Sequence, residues 1–390
     1  MTQNLHNLQV GIDLTPLLAV KTGVDHYLLQ LVRGLSQVER KIKFTIFTNW
    51  EDRKIVSANL GKNFFILPIT FRNRPARFIA QQFLLPILSI MLRLDILHSP
   101  SFFMPLFRGN QRHILTVFDM TMFSLPQYHN RLRRSRAYRM GVAESIRRTD
   151  MIIVPSRFVR QELVRLLPDV NPDRIRVTPL GVETQFTPRK KIDDARKESP
   201  VKGAPSYILF VGTIQYRKGI ETLIKSYQSA ILSHQIKEHL VLVGQLGWEY
   251  QEIQRLVCLN KIQDRVHFTG YLDPEKLLTF YRGARLFVFP SIEEGFGLPP
   301  LEAMACGIPT LATDTSSLRE NLHGAAKLVP PDDPISLSAA MIQMLLDAKI
   351  REDFRSKGMA RAKRFRWEMT ALRTIDCYGE LSEKPSKLRI

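Results

Sequence analysis

Short apolar runs recur along the whole chain and are separated by longer segments whose apolar residues follow a helical period. Most of these runs are continuously apolar rather than alternating, which is typical of parallel strands buried on both faces. Their alternation with helical patterns indicates doubly wound sheets built from strand–helix–strand units. The runs that we interpret as strands are LQVGIDL, KFTIFTN, NFFILPI, DILHS, HILTVFD, MIIVPS, RIRVTPLGV, YILFVGT, HLVLVGQ, VHFTGYL, ARLFVFPS, PTLAT and AAKLVPP.

These elements fall into two halves separated by a polar stretch. Residues 187–205, TPRKKIDDARKESPVKGAP, are rich in charge and show no apolar periodicity, so we interpret them as part of a linker. The sequence therefore predicts an α/β fold of two Rossmann-like, doubly wound parallel-sheet domains that face each other across a cleft. Ligands of such sheets bind beyond the carboxyl ends of the strands. The predicted limits are 1–185 for the N-terminal domain, 186–205 for the linker and 206–366 for the C-terminal domain.

The composition of the 390 residues is typical of a soluble globular protein, with 44% hydrophobic and 24% charged residues. The three cysteines, Cys258, Cys306 and Cys377, are far apart and predict neither a disulfide framework nor a zinc site. No signal peptide is expected at the N-terminus. The longest apolar stretch, residues 83–92, is shorter than the roughly 20 residues of a membrane span. The expected location is the cytoplasm, with peripheral association at the inner face of the membrane.

Positive charge is concentrated in the N-terminal half. The formal net charge is +19, and residues 1–183 hold 26 Lys and Arg against 13 Asp and Glu. Such a half is expected to attract anionic partners: membrane headgroups, a lipid-diphosphate acceptor or nucleic acid. Nucleic acid is not expected, since no known binding motif accompanies the charge. A solvated helix face explains the densest cluster equally well, and that cluster comprises Arg131, Arg133, Arg134, Arg136, Arg139, Arg147 and Arg148.

The segment with the most chemical information is PSIEEGFGLPPLEAMACGIPTLAT, residues 290–313. A buried strand leads into a glycine-containing loop that begins with Glu294, and a predicted helix carries Glu302. Glycines allow backbone amides to approach a ligand closely, and the helix N-terminus favours an anion. Carboxylates accept hydrogen bonds from hydroxyls, so this pattern suits a ligand that combines hydroxyls with phosphates. Surface charges on a helix are the alternative interpretation of the two glutamates.

A second segment of the same design is YILFVGTIQYRKGIETLI, residues 207–224. Its strand ends in a turn at Gly212, and Arg217 and Lys218 stand at the start of the following helix. Cations at a helix N-terminus are unfavourable for the helix itself, so two of them indicate a bound anion such as a departing diphosphate. A third segment, residues 11–31, places Gly23 in a strand-to-helix loop that could contact the diphosphate or form a plain turn.

Together these segments resemble the retaining glycosyltransferases of family four, which have the GT-B fold. The resemblance covers nearly the whole chain, and its most specific part is the pair Glu294 and Glu302, spaced Glu-x7-Glu around the GFGLP loop, with RKG upstream. The stretches TGVDHY, SLPQYH and RKG are closest to the mannose-transferring branch. Weaker motifs follow in the order of the family: DILHSP, LTVFDMTMFSLP, IIVPSRFVRQEL, RVTPLGVE, LVGQ, FTGYL and FRWEMTA.

The resemblance implies a role for each matching residue. Glu302 would bind the donor's ribose hydroxyls, and Glu294 would contact hydroxyls of the transferred sugar. Arg217 and Lys218 would stabilise charge on the leaving diphosphate. The final helix, residues 367–390, would cross back onto the N-terminal domain. No cofactor or metal is expected, because the nucleotide-diphosphate sugar is itself a substrate. The other residues implied in substrate binding are Gly23, Gly212, Tyr271, Gly295, Phe296, Gly297 and Leu298.

One position departs from the family pattern. Many members have a His-Asp pair where this chain has Phe118 and Asp119, and a phenyl ring cannot donate the hydrogen bond that the histidine gives to the sugar. Asp119 is counted as a candidate catalytic residue on the acceptor side. His98 and His129 lie nearby in sequence and are alternative donors, although ordinary packing explains both.

The sequence thus predicts a retaining hexosyltransferase, with mannose as one candidate sugar. Its partners would be a nucleotide sugar, a glycan or lipid-diphosphate-linked acceptor of cell-surface polysaccharide or lipopolysaccharide biosynthesis, and an anionic membrane surface contacted through the basic domain. Two alternatives stay open. A nucleotide-sugar-binding protein that has lost transfer is favoured by Phe118, and a GT-B epimerase is disfavoured because its usual carboxylate and histidine set is not found.

Overall fold

The computed structural model of the chain describes residues 7–19, 21–129, 131–188, 201, 203, 206–234, 236–247 and 250–383. The chain divides into two compact units. Unit 1 comprises Met1–Gly181 and Arg366–Ile390, and unit 2 comprises Val182–Phe365. Most of the linker predicted at 186–205 lies outside the described residues, as do residues 384–390 of the predicted final helix.

Unit 1 contains a seven-stranded parallel sheet in the order β3-β2-β1-β4-β5-β6-β7. Strand β6, MIIV, is buried at every residue, which explains its continuous apolar pattern. The strands are β1 Gln9–Asp13, β2 Lys43–Asn49, β3 Phe64–Thr70, β4 Ile96–Ser99, β5 Arg112–Thr116, β6 Met151–Val154 and β7 Ile175–Val177.

Helices connect these strands. The α-helices are α1 Gly23–Val38, α2 Arg53–Ser57, α3 Arg74–Ile79, α4 Leu85–Met91, α5 Thr121–Ser124, α6 Arg131–Arg134, α7 Arg136–Arg148 and α8 Arg157–Leu166. A π-helical segment, Ala80–Leu84, joins α3 to α4, and single 3₁₀ turns lie at Trp50–Asp52, Pro126–Tyr128 and Pro172–Arg174. A C-terminal helix, residues Trp367–Glu383, also belongs to this unit and is named α16 below.

Helix α16 packs against α1 at a glycine. A Cβ on Gly34 would lie 3.1 Å from the carbonyl oxygen of Trp367, so the absence of a side chain allows the close approach of the two helices. Farther along α16, the Tyr378 hydroxyl lies 2.9 Å from Nδ1 of His98 on β4. The Thr370 hydroxyl donates to the Pro179 carbonyl at 2.8 Å. Helix α16 is therefore an integral part of unit 1.

Unit 2 contains a six-stranded parallel sheet in the order β10-β9-β8-β11-β12-β13. The strands are β8 Tyr207–Val211, β9 His239–Val243, β10 Val266–Gly270, β11 Leu286–Phe289, β12 Thr310–Thr313 and β13 Lys327–Val329. The α-helices are α9 Ile220–His234, α10 Tyr250–Leu259, α11 Pro274–Gly283, α12 Leu298–Ala305, α13 Ser316–Leu322, α14 Pro334–Leu346 and α15 Ala348–Ala362, and 3₁₀ turns lie at Tyr216–Lys218 and Gln263–Arg265.

The predicted elements agree with this architecture. Each of the thirteen runs predicted as strands contains a strand, and every strand pairing among the described residues is parallel. The prediction of two Rossmann-like parallel-sheet domains is therefore confirmed. Among the residues described, no helix is long and apolar enough to cross a bilayer.

Candidate active site

The loop that follows β11 is held in one conformation by hydroxyl and amide side chains. The Glu294 amide donates to the Ser316 hydroxyl at 2.9 Å, and the Ser317 hydroxyl donates to the Glu294 carbonyl at 2.8 Å. Asn321 donates to the carbonyl of Phe296 at 2.7 Å. All three side chains belong to α13, so this helix fixes the loop that carries Glu294. Such fixed backbone is suited to positioning catalytic groups before a ligand arrives.

The same loop requires glycine where it enters α12. Gly297 is the N-cap residue of this helix and has a φ of +83°, a left-handed conformation that side chains rarely adopt. A Cβ at this position would lie 2.5 Å from the Leu318 side chain. The GFGLP pattern is therefore explained by a tight turn packed against α13, and the turn leads directly into the N-terminus of α12.

Glu294 forms a buried ion pair with Lys218. Its Oε1 accepts a hydrogen bond from the Lys218 ammonium and another, at 2.7 Å, from the Ser291 hydroxyl. The side chains of Lys218 and Glu294 are 14% and 11% exposed. Burial alone would raise the pKa of Glu294, but the positive charges of Lys218 and Arg217 outweigh it and lower the pKa below its ordinary value. Glu294 is therefore a carboxylate at neutral pH.

Lys218 and Arg217 reach this position because two loops touch. Both cations lie in the 3₁₀ turn Tyr216–Lys218, which precedes α9. The next residue, Gly219, has a φ of +69°, and a Cβ there would lie 2.0 Å from the Pro290 carbonyl oxygen. Nη1 of Arg217 donates to the Glu293 carbonyl at 3.0 Å. The loops after β8 and β11 thus meet at the carboxyl ends of adjacent strands, where ligands of parallel sheets bind.

Glu302 lies in the second turn of α12. Its Oε2 accepts a hydrogen bond of 2.8 Å from the hydroxyl of Tyr281 on α11. Burial and the neighbouring charge of Glu302 raise the pKa of Tyr281 well above its usual value, so the phenol stays protonated and remains a donor. Tyr281 therefore fixes the orientation of this carboxylate.

Other candidates of unit 2 follow strands β8, β10 and β11 of the same sheet. Gly212 directly follows β8, and its amide donates to the Val243 carbonyl at 2.9 Å. Tyr271 follows β10 and is 47% exposed. Phe296 is buried and packs edge to face against Phe365. Each of these positions follows the carboxyl end of a strand.

In unit 1, Gly23 is the first residue of α1, after an N-cap at Thr22. The helix is capped internally, since the Asp25 carboxylate accepts hydrogen bonds from the amide and hydroxyl of Thr22 at 2.7 and 2.6 Å. Among the described residues, and apart from the adjoining backbone, no heavy atom lies within 4 Å of the point where a Cβ of Gly23 would be. The roles of Gly23 and of the other candidates in substrate binding stay predictions.

Phe118, which stands where many family members have histidine, is part of an aromatic cluster. It is buried and packs edge to face against Tyr27 at 4.9 Å and Phe102 at 6.1 Å between ring centroids. Asp119 accepts hydrogen bonds from the amide and hydroxyl of Thr121 at 3.0 and 2.5 Å. Phe118 therefore has a packing role, and Asp119 fixes the start of α5.

The two nearby histidines have different surroundings. His98 is fully buried between the Tyr378 and Thr116 hydroxyls, both at 2.9 Å, and burial lowers its pKa to about 3. It is a packed, neutral histidine of the unit 1 core. His129 Nε2 lies 2.9 Å from the Thr121 hydroxyl, which in turn donates to Asp119. Of the two, only His129 is connected to a candidate site residue through these hydrogen bonds.

Comparison with known proteins identifies the family. Residues 21–186 match the profile of Glycosyltransferase Family 4, and residues 191–361 match that of Glycosyl transferases group 1. The O-antigen chain mannosyltransferase B of Escherichia coli is 31% identical over 374 residues, which cover 92% of this chain and 96% of that protein. The chain is a family-four glycosyltransferase. The family inferred from the Glu-x7-Glu and RKG motifs is thereby confirmed.

Solved structures place this glycosyltransferase in the GT-B fold, as expected. Sucrose-phosphate synthase from Thermosynechococcus elongatus matches with a TM-score of 0.77 at 24% identity, over 96% of this chain and 99% of that one. HepE of Anabaena, solved in complex with UDP-glucose, matches with a TM-score of 0.72 at 13% identity, over 97% of this chain and 100% of that one. At these identities the likeness shows the fold alone.

Sequence reasoning missed the residues that hold this glycosyltransferase's candidate site in place. Ser291 donates to the Glu294 carboxylate, and Tyr281 donates to that of Glu302. Ser316 accepts from the Glu294 amide while adopting a φ of +48°. Single serines and a tyrosine inside a helical pattern have no distinguishing spacing. Only the position of Ser291, three residues before Glu294, gave a signal that could have been noticed.

Proposed function

We propose that this glycosyltransferase transfers a hexose, with mannose as the first candidate, from a nucleotide-diphosphate sugar to a glycan or lipid-linked acceptor in cell-surface polysaccharide biosynthesis, with retention of anomeric configuration. The observation that carries the proposal is the buried Lys218–Glu294 pair at the carboxyl ends of β8 and β11. It combines a cation for a leaving diphosphate with a carboxylate for sugar hydroxyls.

The charges in this site suit the breaking of a sugar–phosphate bond. As the bond between the anomeric carbon and the diphosphate oxygen lengthens, negative charge builds on that oxygen. Lys218 and Arg217 are held beside Glu294, and cations fixed at such a point stabilise the transition state more than the ground state. Glu302, oriented by Tyr281, would accept the ribose hydroxyls of the same donor.

In the proposed mechanism the anomeric configuration is retained because the acceptor attacks the same face of the sugar that the diphosphate leaves. The acceptor oxygen bonds to the anomeric carbon while the carbon–oxygen bond to diphosphate breaks. The acceptor's proton passes to the departing phosphate oxygen, so no protein base is consumed. On this route the protein binds the donor, orients its sugar and stabilises the diphosphate.

The choice of mannose and of a surface glycan rests on similarity. The Escherichia coli relative that matches 92% of this chain is named an O-antigen chain mannosyltransferase. A lipid-linked acceptor would also place the enzyme at the inner face of the membrane. The competing function is a nucleotide-sugar-binding protein without transfer, and the observation that favours it is the packing of Phe118 where the family often has histidine.

The test is incubation of the purified protein with guanosine, uridine and adenosine diphosphate sugars, with release of nucleoside diphosphate measured for each. We expect slow hydrolysis of one donor without acceptor, fastest for a mannose donor, and faster release when membrane extract supplies an acceptor. NMR of the product should show the donor's anomeric configuration. Donor binding without release under either condition would favour the binding-protein alternative, and an inverted product would refute retention.

A further inference from the structure

The helical run of unit 1 from Arg74 to Met91 has its apolar face turned to solvent. It comprises α3, the π-helical segment Ala80–Leu84 and α4. Of residues 75–91, the exposed ones are all apolar, and we call them the apolar face: Pro75, Phe78, Ile79, Phe83, Leu84, Ile87, Ile90 and Met91. Most are more than half exposed, from 52% at Phe83 to 72% at Met91. Phe107, 62% exposed, extends this face and packs against Phe83 at 5.8 Å between ring centroids.

The two glutamines of the run point inward instead. Gln81 is buried and donates to the Asp13 carboxylate at 2.9 Å. Gln82 is also buried and accepts a hydrogen bond of 2.9 Å from the Leu106 amide. A surface helix of a water-soluble protein normally has polar residues on its outer side. This run buries Leu85 in the core of unit 1 but is apolar on its outer side as well, and the hydrogen bonds of the two glutamines fix that orientation.

Arginines border the apolar face. Arg77, within the run, is half-buried, and Arg93 is exposed just beyond the end of α4. The charge is therefore next to the apolar surface, and its sign is positive.

We propose that the apolar face with its bordering arginines is a docking surface for an anionic phospholipid bilayer. The run has 18 residues and, at 1.5 Å per residue, is about 27 Å long. Phenylalanine, isoleucine and methionine side chains insert among acyl chains, and arginines pair with phosphate headgroups, as in helices that lie in the membrane interface. Contiguous exposed apolar surface of this kind marks an interaction site. The positive border selects a negatively charged partner.

The purpose of this docking rests on the proposed function, because a lipid-linked acceptor is held in a membrane. The apolar face would bring unit 1 to the surface of the bilayer, where the acceptor is held. Docking itself needs neither donor nor acceptor, so it is measured apart from transfer. A failure to bind lipid and a failure to transfer sugar are therefore distinguishable.

The experiment is co-sedimentation of the full chain with vesicles of phosphatidylcholine alone or with phosphatidylglycerol. We expect binding to the anionic vesicles, weakened by salt, and reduced roughly tenfold or more in Phe83→Ser/Ile87→Ser. The matched control is Leu232→Ser/Leu259→Ser, which changes two leucines of unit 2 that are 76% and 79% exposed and should leave binding unchanged. All four positions are exposed, so thermal unfolding should be the same in each protein.

Equal sedimentation of the Phe83→Ser/Ile87→Ser variant and the wild type would overturn the proposal. So would a wild type that binds no vesicle but elutes as a dimer that this variant dissociates, because the face would then be a contact between two copies of the chain. Transfer to a short soluble acceptor should be the same in both proteins.

Discussion

Lys218→Ala is expected to lower turnover by roughly 10²- to 10³-fold, or about 3–4 kcal/mol in the activation free energy. The ammonium lies beside Glu294 and over the ring of Phe289, at 5.5 Å from its centroid, and it is nearly excluded from water. A charge held in such surroundings stabilises a developing diphosphate anion far more than an exposed lysine could. The measurement is the steady-state release of nucleoside diphosphate with a saturating donor.

The matched control for this variant is Lys225→Ala. Lys225 also forms an ion pair, with Glu221 at 2.7 Å, but both side chains are about half exposed on α9. Exposed pairs contribute little, so its turnover should stay near that of the wild type. The double variant Lys218→Met/Glu294→Gln removes both buried charges and keeps similar side-chain shapes. It leaves no unpaired buried charge, so a loss of turnover in this variant reflects lost chemistry and not lost folding. Near-normal turnover in Lys218→Ala would show that Lys218 does not act on the diphosphate.

Glu294→Gln is expected to lower turnover by roughly 10- to 150-fold. The substitution keeps the shape of the side chain and a hydrogen-bond partner for Ser291, but it removes the charge that faces Lys218 and that would accept the sugar hydroxyls in the proposed donor complex. Hydrogen bonds to charged groups contribute about 1.5–3 kcal/mol each, which corresponds to this range. The measurement is the same assay of nucleoside diphosphate release at a saturating donor concentration.

Glu293→Gln is the control, because it removes the same charge one residue earlier. The Arg217 contact uses the backbone carbonyl of Glu293, which the substitution leaves in place. We expect turnover within about twofold of the wild type for this variant, since the substitution keeps this backbone contact and the shape of the side chain. Similar losses of turnover in the two variants would mean that the total negative charge of the loop matters, and not the Glu294 carboxylate in particular.

Much of the fold follows from the sequence because parallel strands buried on both faces have a distinctive pattern. Continuously apolar runs such as MIIV and LFVF are unfavourable on a water-exposed face, so their type and their burial were predictable. The meeting of Glu294 with Lys218 was also foreseeable, since both follow strands whose carboxyl ends lie at one edge of a sheet. Strands β8 and β11 are direct neighbours because the chain crosses over between them. The apolar periodicity of the sequence does not predict this crossover.

Other features were not predictable for identifiable reasons. The run from Arg74 to Met91 hides its glutamines and exposes its phenylalanines, so a rule that apolar residues face inward assigns its faces wrongly. The left-handed Ser316 depends on tertiary contacts with the Glu294 loop. The orientation of Glu302 depends on Tyr281, which lies 21 residues earlier in the chain.

Calorimetric titration of nucleoside diphosphate and of nucleotide sugar into the wild type, Glu302→Ala and Glu294→Gln asks whether one donor molecule engages both carboxylates. Glu302→Ala should weaken the binding of both ligands by a similar factor, roughly tenfold or more, because both contain the ribose. Glu294→Gln should weaken the binding of the nucleotide sugar only, because the proposed function assigns the Glu294 carboxylate to the hydroxyls of the transferred sugar. If neither variant changed the affinity for the sugar nucleotide, the two glutamates would not belong to a shared donor site.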